Sequence, residues 1–95
     1  MRIIWTEPAA SALESIQDYI ASDNRRAALG VAHRIGHAVS QLEDHPELGR
    51  SGRVRGTLEL VIPGLPYIVP YRVKGKEVQI LSVFHTARKW PEEFE

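Results

Sequence analysis

Two spacings of hydrophobic residues divide the chain. The first half opens with a short β-branched and aromatic run, Arg2 to Thr6, that reads as a strand. After it Ala9, Leu13, Ile16 and Ile20, with Ala12 beside them, recur every three to four residues, while Glu14, Gln17 and Asp18 fall on the opposite side. This is one amphipathic helix, with Thr6 at its N-cap and Pro8 in its first turn, where a missing amide hydrogen costs nothing. The polar break Ala21 to Arg26 follows, with Asp23 or Asn24 able to cap the next element. Ala28, Val31, Ala32, Ile35, Ala38, Val39 and Leu42 then repeat the helical period and predict a second helix from about Arg25 to Glu43. Gly30 and Gly36 inside it each cost roughly 1 kcal/mol relative to alanine, which suggests a close approach by a neighbour.

From Thr57 the period changes to two. Thr57–Ile62, Tyr67–Val73 and Glu77–His85 read as strands, with reversals at Gly64 and Gly75, a meander whose neighbours pair antiparallel. The order β-α-α-β-β-β predicts a single α+β domain over 1–95, with a helical hairpin packed on one face of a small, mostly antiparallel sheet. Tyr67, Val69, Tyr71 and Val73 supply the core side of the middle strand. Ile68, Pro70 and Arg72 are expected on an open face, with the end of the last strand near them and the loop from Arg50 to Arg55 at the rim. Pro70 lacks a ladder donor and implies an edge or a bulge.

Composition narrows the class. A chain of 95 residues supports one thin core. The absence of cysteine removes disulfides and thiolate chemistry and fits a reducing, cytoplasmic setting. No apolar run approaches the ~20 residues of a membrane helix, so no membrane association is expected. Twelve cations balance twelve anions, but they are segregated. Residues 1–49 hold four cations and seven anions, residues 50–89 eight and two, and the last six residues three glutamates. Such a field steers an anionic partner to one part of the surface.

Several groups are candidates for chemistry. His33 and His37 stand four apart on the second helix, opposite its apolar stripe. With no cysteine and no third ligand at a supporting spacing, no metal is expected, and no cofactor either. Gly49 to Gly56 alternates glycine with Arg50, Arg53 and Arg55 but lacks the lysine and hydroxyl of a nucleotide loop. Near the C-terminus, His85, Arg88, Lys89 and Trp90 fall within six residues. The imidazole is suited either to general acid–base work or to a structural hydrogen bond. Trp90 is suited either to covering the sheet edge or to stacking on a base. Cleavage of RNA needs a base, an acid and a cation for the phosphorane. Of the carboxylates near the sheet, Glu59 can reach the open face, whereas Glu77 lies far from His85.

The order of elements, with "HPELGR", "YIVPYRV" and "ILSVFHTAR" as its most specific pieces, resembles the RelE/ParE superfamily of toxins from type II toxin–antitoxin pairs. The likeness runs from "IIWTEPAASALESIQDYI" to Trp90. It implies either a ParE-type protein that poisons DNA gyrase by binding it, or a ribosome-dependent messenger-RNA endoribonuclease of RelE or YoeB type. For the nuclease, His85, Arg88 and Arg72 would be the catalytic set. His85 matches the YoeB-type histidine, but Thr86 stands where the tyrosine would be and Ile68 where the strand arginine would be, and no tyrosine follows Tyr71. These departures favour the ParE type, with Arg50, Arg53, Arg55, Arg72, His85, Arg88, Lys89 and Trp90 as a surface for target or antitoxin. The resemblance also implies a ParD-like, ribbon-helix-helix antitoxin forming a hetero-oligomer. It leaves direct nucleic-acid binding open.

Overall fold

The computed structural model describes residues 1–87. Arg88, Lys89 and Trp90, three of the expected surface residues, lie outside them. Strand β1 (Arg2–Trp5) passes through Thr6 into helix α1 (Glu7–Ala21), and helix α2 (Arg25–Ser40) follows after a short turn. The remaining strands are β2 (Arg50–Ser51), β3 (Leu58–Val61), β4 (Tyr67–Lys74), β5 (Glu77–Ile80) and β6 (Phe84–His85).

Thr6 carries the handover from strand to helix. Its hydroxyl oxygen accepts the Ala9 amide at 3.4 Å as an N-cap, while the hydroxyl donates to the Ile80 carbonyl at 2.6 Å. The helix start is thereby stitched to the end of β5, where the Thr6 amide also donates to the Ile80 carbonyl at 3.2 Å. Asn24 caps α2 by accepting the Ala27 amide at 3.0 Å. The second helix ends at Ser40 and tightens into a 3₁₀ turn, Gln41–Glu43, so the periodicity that reaches Leu42 spans both.

The sheet order is β1-β5-β4-β3-β2, with β6 also paired to β4. All pairings are antiparallel except β1 with β5, which run parallel; the helical hairpin and strands β2 to β4 lie between them in the chain. Ala9, Ile35, Val39 and Leu42 from the helical layer meet Leu60, Val69, Tyr71, Val78 and Ile80 of the sheet, all nearly inaccessible to solvent.

Two expectations are corrected. Gly30 and Gly36 have no neighbour within 4 Å of where a Cβ would stand, so nothing inside the molecule requires a glycine at either position. The far face of the sheet is not bare: Ile68 is 4% exposed and Pro70 is fully buried. Their cross-strand neighbours contribute cover, Glu59 and Leu81 beside Pro70, and Val61 and Phe84 beside Ile68.

The expected last strand, Glu77 to His85, is interrupted. Ile80 faces Tyr71 and Phe84 faces Ile68, so the two residues Val69 and Pro70 are opposed by three, Leu81, Ser82 and Val83. This is a β-bulge. The Pro70 carbonyl accepts the Leu81 amide at 2.9 Å, so the side of β4 on which proline lacks a donor is the side where the partner slips by one residue. The anticipated irregularity at Pro70 therefore lies in a central strand and not at an edge.

Candidate target-binding surface

The bulge decides where His85 points. Continued in the register of β5, His85 would oppose Pro66 and share a face with Arg72. The extra residue instead sets it opposite Tyr67, on the helix side of the sheet. There the two rings meet edge to face, 5.5 Å between centroids and 88° between planes. His85 Nδ1 accepts the Ala87 amide at 3.1 Å, so the neutral ring carries its hydrogen on Nε2. Around it a groove of about 490 Å³ runs between α1 and β6, walled by Ile16 and Tyr19 on one side and Tyr67, Val83 and Phe84 on the other. Tyr19 stands 77% exposed at its lip. Among the described residues, the groove lining includes no cation and no carboxylate.

Arg72 lies on the opposite face, where it belongs to a hydrogen-bonded ladder across three strands. Its Nε donates to Gln79 Oε1 at 2.9 Å, the Gln79 amide donates to Glu77 Oε1 at 3.2 Å, and Arg2 donates to Glu77 Oε2 at 2.6 Å. The Arg2 hydrogen bond, seconded by that of Gln79, holds the Glu77 carboxyl below its ordinary pKa.

The arginine loop is built on a buried acid. Glu59 is 2% exposed; its Oε2 accepts the Arg53 amide at 2.8 Å and its Oε1 meets the Arg50 guanidinium at 3.3 Å. A carboxylate so deeply placed needs such partners, and taking them from 50–53 fixes the loop over the β2–β3 end of the sheet. Arg53 and Arg55 are exposed there. Of the sequence-predicted cations, Arg50 meets Glu59, which faces Pro70 across the β3–β4 pair, Arg53 and Arg55 are exposed in the same loop and Arg72 bonds to Gln79, while His85 stands opposite Tyr67 on the other face.

Two features of this arrangement escaped the sequence. Tyr67 as partner to His85 depends on the register shift; the signal was Pro70, but a proline does not say how many residues oppose it. The far-face ladder depends on Arg2 arriving beside Glu77 through parallel pairing, which strand spacing alone does not give. Among the described residues no group of three His, Asp or Glu side chains is placed to hold a metal ion, and no helix is long and apolar enough to cross a membrane.

Comparison with known proteins closes the identification. Residues 3–90 match the family described as ParE toxin of type II toxin-antitoxin system, parDE. The chain is 45% identical over 91 residues to the protein named "Putative toxin Y4kP" of Sinorhizobium fredii (strain NBRC 101917 / NGR234), covering 96% of this chain and 94% of that one. It also superposes with a TM-score of 0.81 and 34% identity on a solved chain titled "Chromosomal ParDE TA system from P. aeruginosa", over 90% of this chain and 95% of that chain. By sequence and by fold, the chain belongs to the ParE toxin family of type II toxin–antitoxin systems.

Proposed function

We propose that the protein arrests growth by binding and poisoning DNA gyrase, and that a cognate antitoxin neutralises it by covering the toxin surface. Family membership supports the toxin role, and the placement of His85 favours binding over chemistry. Phosphodiester cleavage needs proton-transfer groups and a cation around one reacting phosphate. Here the imidazole faces Tyr67 and α1, whereas Arg72 and Arg50 lie across the sheet and Glu59 is held by the loop. A phosphate beside His85 would not reach those groups without passing through the core.

The aromatic groove beside His85 and the arginine loop over Glu59 then serve as docking patches, one apolar and one cationic. Buried aromatic anchors and arginines are the residue types that dominate such contacts. The test is a gyrase supercoiling assay with purified protein, run beside an assay of transcript integrity in a translating extract. Blocked supercoiling or trapped cleaved DNA, with transcripts intact, is the expected result. Codon-positioned cuts in translated messages with normal supercoiling would replace this reading with the ribosome-dependent nuclease.

A further inference from the structure

One end of the sheet is cationic. Strand β2 runs toward the tip of its hairpin with β3, residues 53–56, and β4, antiparallel to β3, runs toward the same end before it reverses at Gly75 into β5. Strand β1, parallel to β5, starts there as well. Arg53 and Arg55 at the hairpin tip, Arg72 and Lys74 at the end of β4, Lys76 in the turn and Arg2 at the head of β1 are therefore brought to one rim from three separate parts of the chain. All but Arg72, which is half-buried, are exposed. The carboxylates placed near them are Glu77, already bonded to Arg2 and Gln79, and Glu43, which shares a cleft with Met1, Arg2 and Lys76. The β3–β4 turn at the opposite end, residues 63–66, has no charged side chain.

Within the fold these charges repel one another more than they are compensated. Among the described residues the ion pairs are Arg2 with Glu77, His45 with Glu47 and Arg50 with Glu59, so Arg55, Lys74 and Lys76 belong to none. The hairpin tip is nevertheless firmly held. The Gly52 amide donates to the Thr57 carbonyl at 2.9 Å, the Thr57 amide closes the turn on the Val54 carbonyl at 3.1 Å, and the buried Glu59 accepts the Arg53 amide at 2.8 Å. A Cβ at Gly52 would collide with Thr57, so glycine is needed for the two strands to approach so closely. Ordering uncompensated cations along one rim opposes folding and points to an anion outside the chain.

We infer that this rim binds duplex DNA through its phosphate backbone, without regard to sequence. Neighbouring strands lie ~4.8 Å apart, so from β2 to β1 the row of cations is about 19 Å wide, the axial length of about five phosphate steps on one DNA strand. A single-stranded nucleic acid is the poorer fit, since residues 50–57 and 72–77 contain no aromatic side chain on which a base could stack. An acidic protein is poorer for a related reason: among the described residues, Met1 and Val73 are the large apolar side chains exposed at this end, too few to anchor a protein interface. The inference shares the arginine loop with the docking surface proposed above and does not depend on gyrase.

The test uses the whole protein and short labelled DNA duplexes of unrelated sequence. Anisotropy titrations over a series of salt concentrations should show the duplexes bound alike, with the logarithm of the binding constant falling linearly in the logarithm of salt at a slope of about −3 or steeper. The double variant Lys74→Gln/Lys76→Gln should weaken binding about fivefold or more at low salt and make the slope shallower by about 2, because each phosphate contact contributes about 0.9 to it. Its melting temperature should hold or rise, an opposition that a purely structural role would not produce. Arg25→Gln/Arg26→Gln removes the same charge from the start of α2 and should leave the slope unchanged. No binding at low salt, a slope near zero, an equal loss from the α2 pair, or tighter capture of single-stranded DNA, an RNA duplex or polyglutamate would overturn the inference. Gyrase supercoiling assayed on the same variants keeps the readings apart: DNA binding without inhibition supports the inference and refutes the gyrase reading, and inhibition without DNA binding does the reverse.

Discussion

The Tyr71 hydroxyl accepts the Gly49 amide at 2.8 Å and donates to the Pro46 carbonyl at 2.6 Å. Both partners lie in "HPELGR" and Tyr71 lies in "YIVPYRV", so two of the most distinctive segments of the chain are halves of one clasp. A Cβ at position 49 would fall 2.6 Å from the Tyr71 ring, so glycine is required there by proximity. Tyr71→Phe keeps the packing and removes both hydrogen bonds, and should cost about 1–3 kcal/mol in urea unfolding. Gly49→Ala should cost a similar amount by displacing the ring. A phenylalanine variant as stable as the parent would mean that the clasp contributes nothing.

The same hydroxyl makes stability depend on alkaline pH. Burial, partly offset by the Gly49 hydrogen bond and aided by the Glu47 charge, raises the Tyr71 pKa above its ordinary value of 10.0. The folded state therefore holds this proton when the unfolded state has released it, and stability falls as pH rises past 10 toward the raised value. Glu77 behaves in the opposite sense. Its lowered pKa contributes stability that is present above the ordinary carboxylate range and is lost as pH falls through it. Unfolding midpoints followed with pH should show both limbs. Tyr71→Phe should flatten the alkaline one and Glu77→Gln part of the acid one, and a parent-like alkaline limb in Tyr71→Phe would contradict the assignment.

Removing the carboxylate of Glu59 should loosen the arginine loop more than the sheet. Glu59→Ala leaves Arg50 with 58% of its side chain in solvent, able to rehydrate, so the loss is that of two charge-assisted hydrogen bonds, about 1.5–3 kcal/mol each at most. Arg50→Ala should cost less, because the Arg53 amide still serves the acid. Hydrogen exchange reports this directly. The Arg53 amide should exchange faster in Glu59→Ala than in Arg50→Ala, and equal protection in the two would show that the loop is ordered by something else.

The register shift explains what the sequence could and could not yield. The helix cap at Thr6, a second cap at Asp23 or Asn24, both apolar stripes and the meander from Thr57 were legible because each follows from local spacing and side-chain chemistry, whereas the short strand Arg50–Ser51 falls in what reads as a loop. The face of His85 was not, because one extra residue between Ile80 and Phe84 reverses every side chain beyond it. Burial of Ile68 and Pro70 was hidden for a related reason: alternation says which residues share a face and not what covers that face. The bulge itself is testable. Nuclear Overhauser contacts should link the Tyr67 and His85 rings in the parent and vanish when Ser82 is deleted, since deletion restores the regular register. Should the deletion variant not fold, Tyr67→Leu offers the same test through the His85 ring-proton shifts, which should move once the edge-on aromatic ring is gone.

His85 finally separates binding from catalysis. Its Nδ1 accepts a backbone amide at 3.1 Å and its ring packs against Tyr67, two roles that a glutamine can partly reproduce through its carbonyl oxygen and its bulk. Glutamine cannot transfer a proton near neutral pH. General acid–base catalysis typically contributes about 10²–10⁴-fold to a rate, so a nuclease using His85 would lose nearly all activity in His85→Gln. A toxin that acts by docking should keep growth arrest and gyrase inhibition within about tenfold in His85→Gln, and lose more in His85→Asp, which places a charge against Tyr67 and the apolar wall of the groove. Dose–response curves of growth arrest under graded induction, normalised to protein level, measure both. Loss of arrest by two orders of magnitude in the glutamine variant, with its melting temperature unchanged, would show that the imidazole moves protons and that the groove beside α1 is an active site.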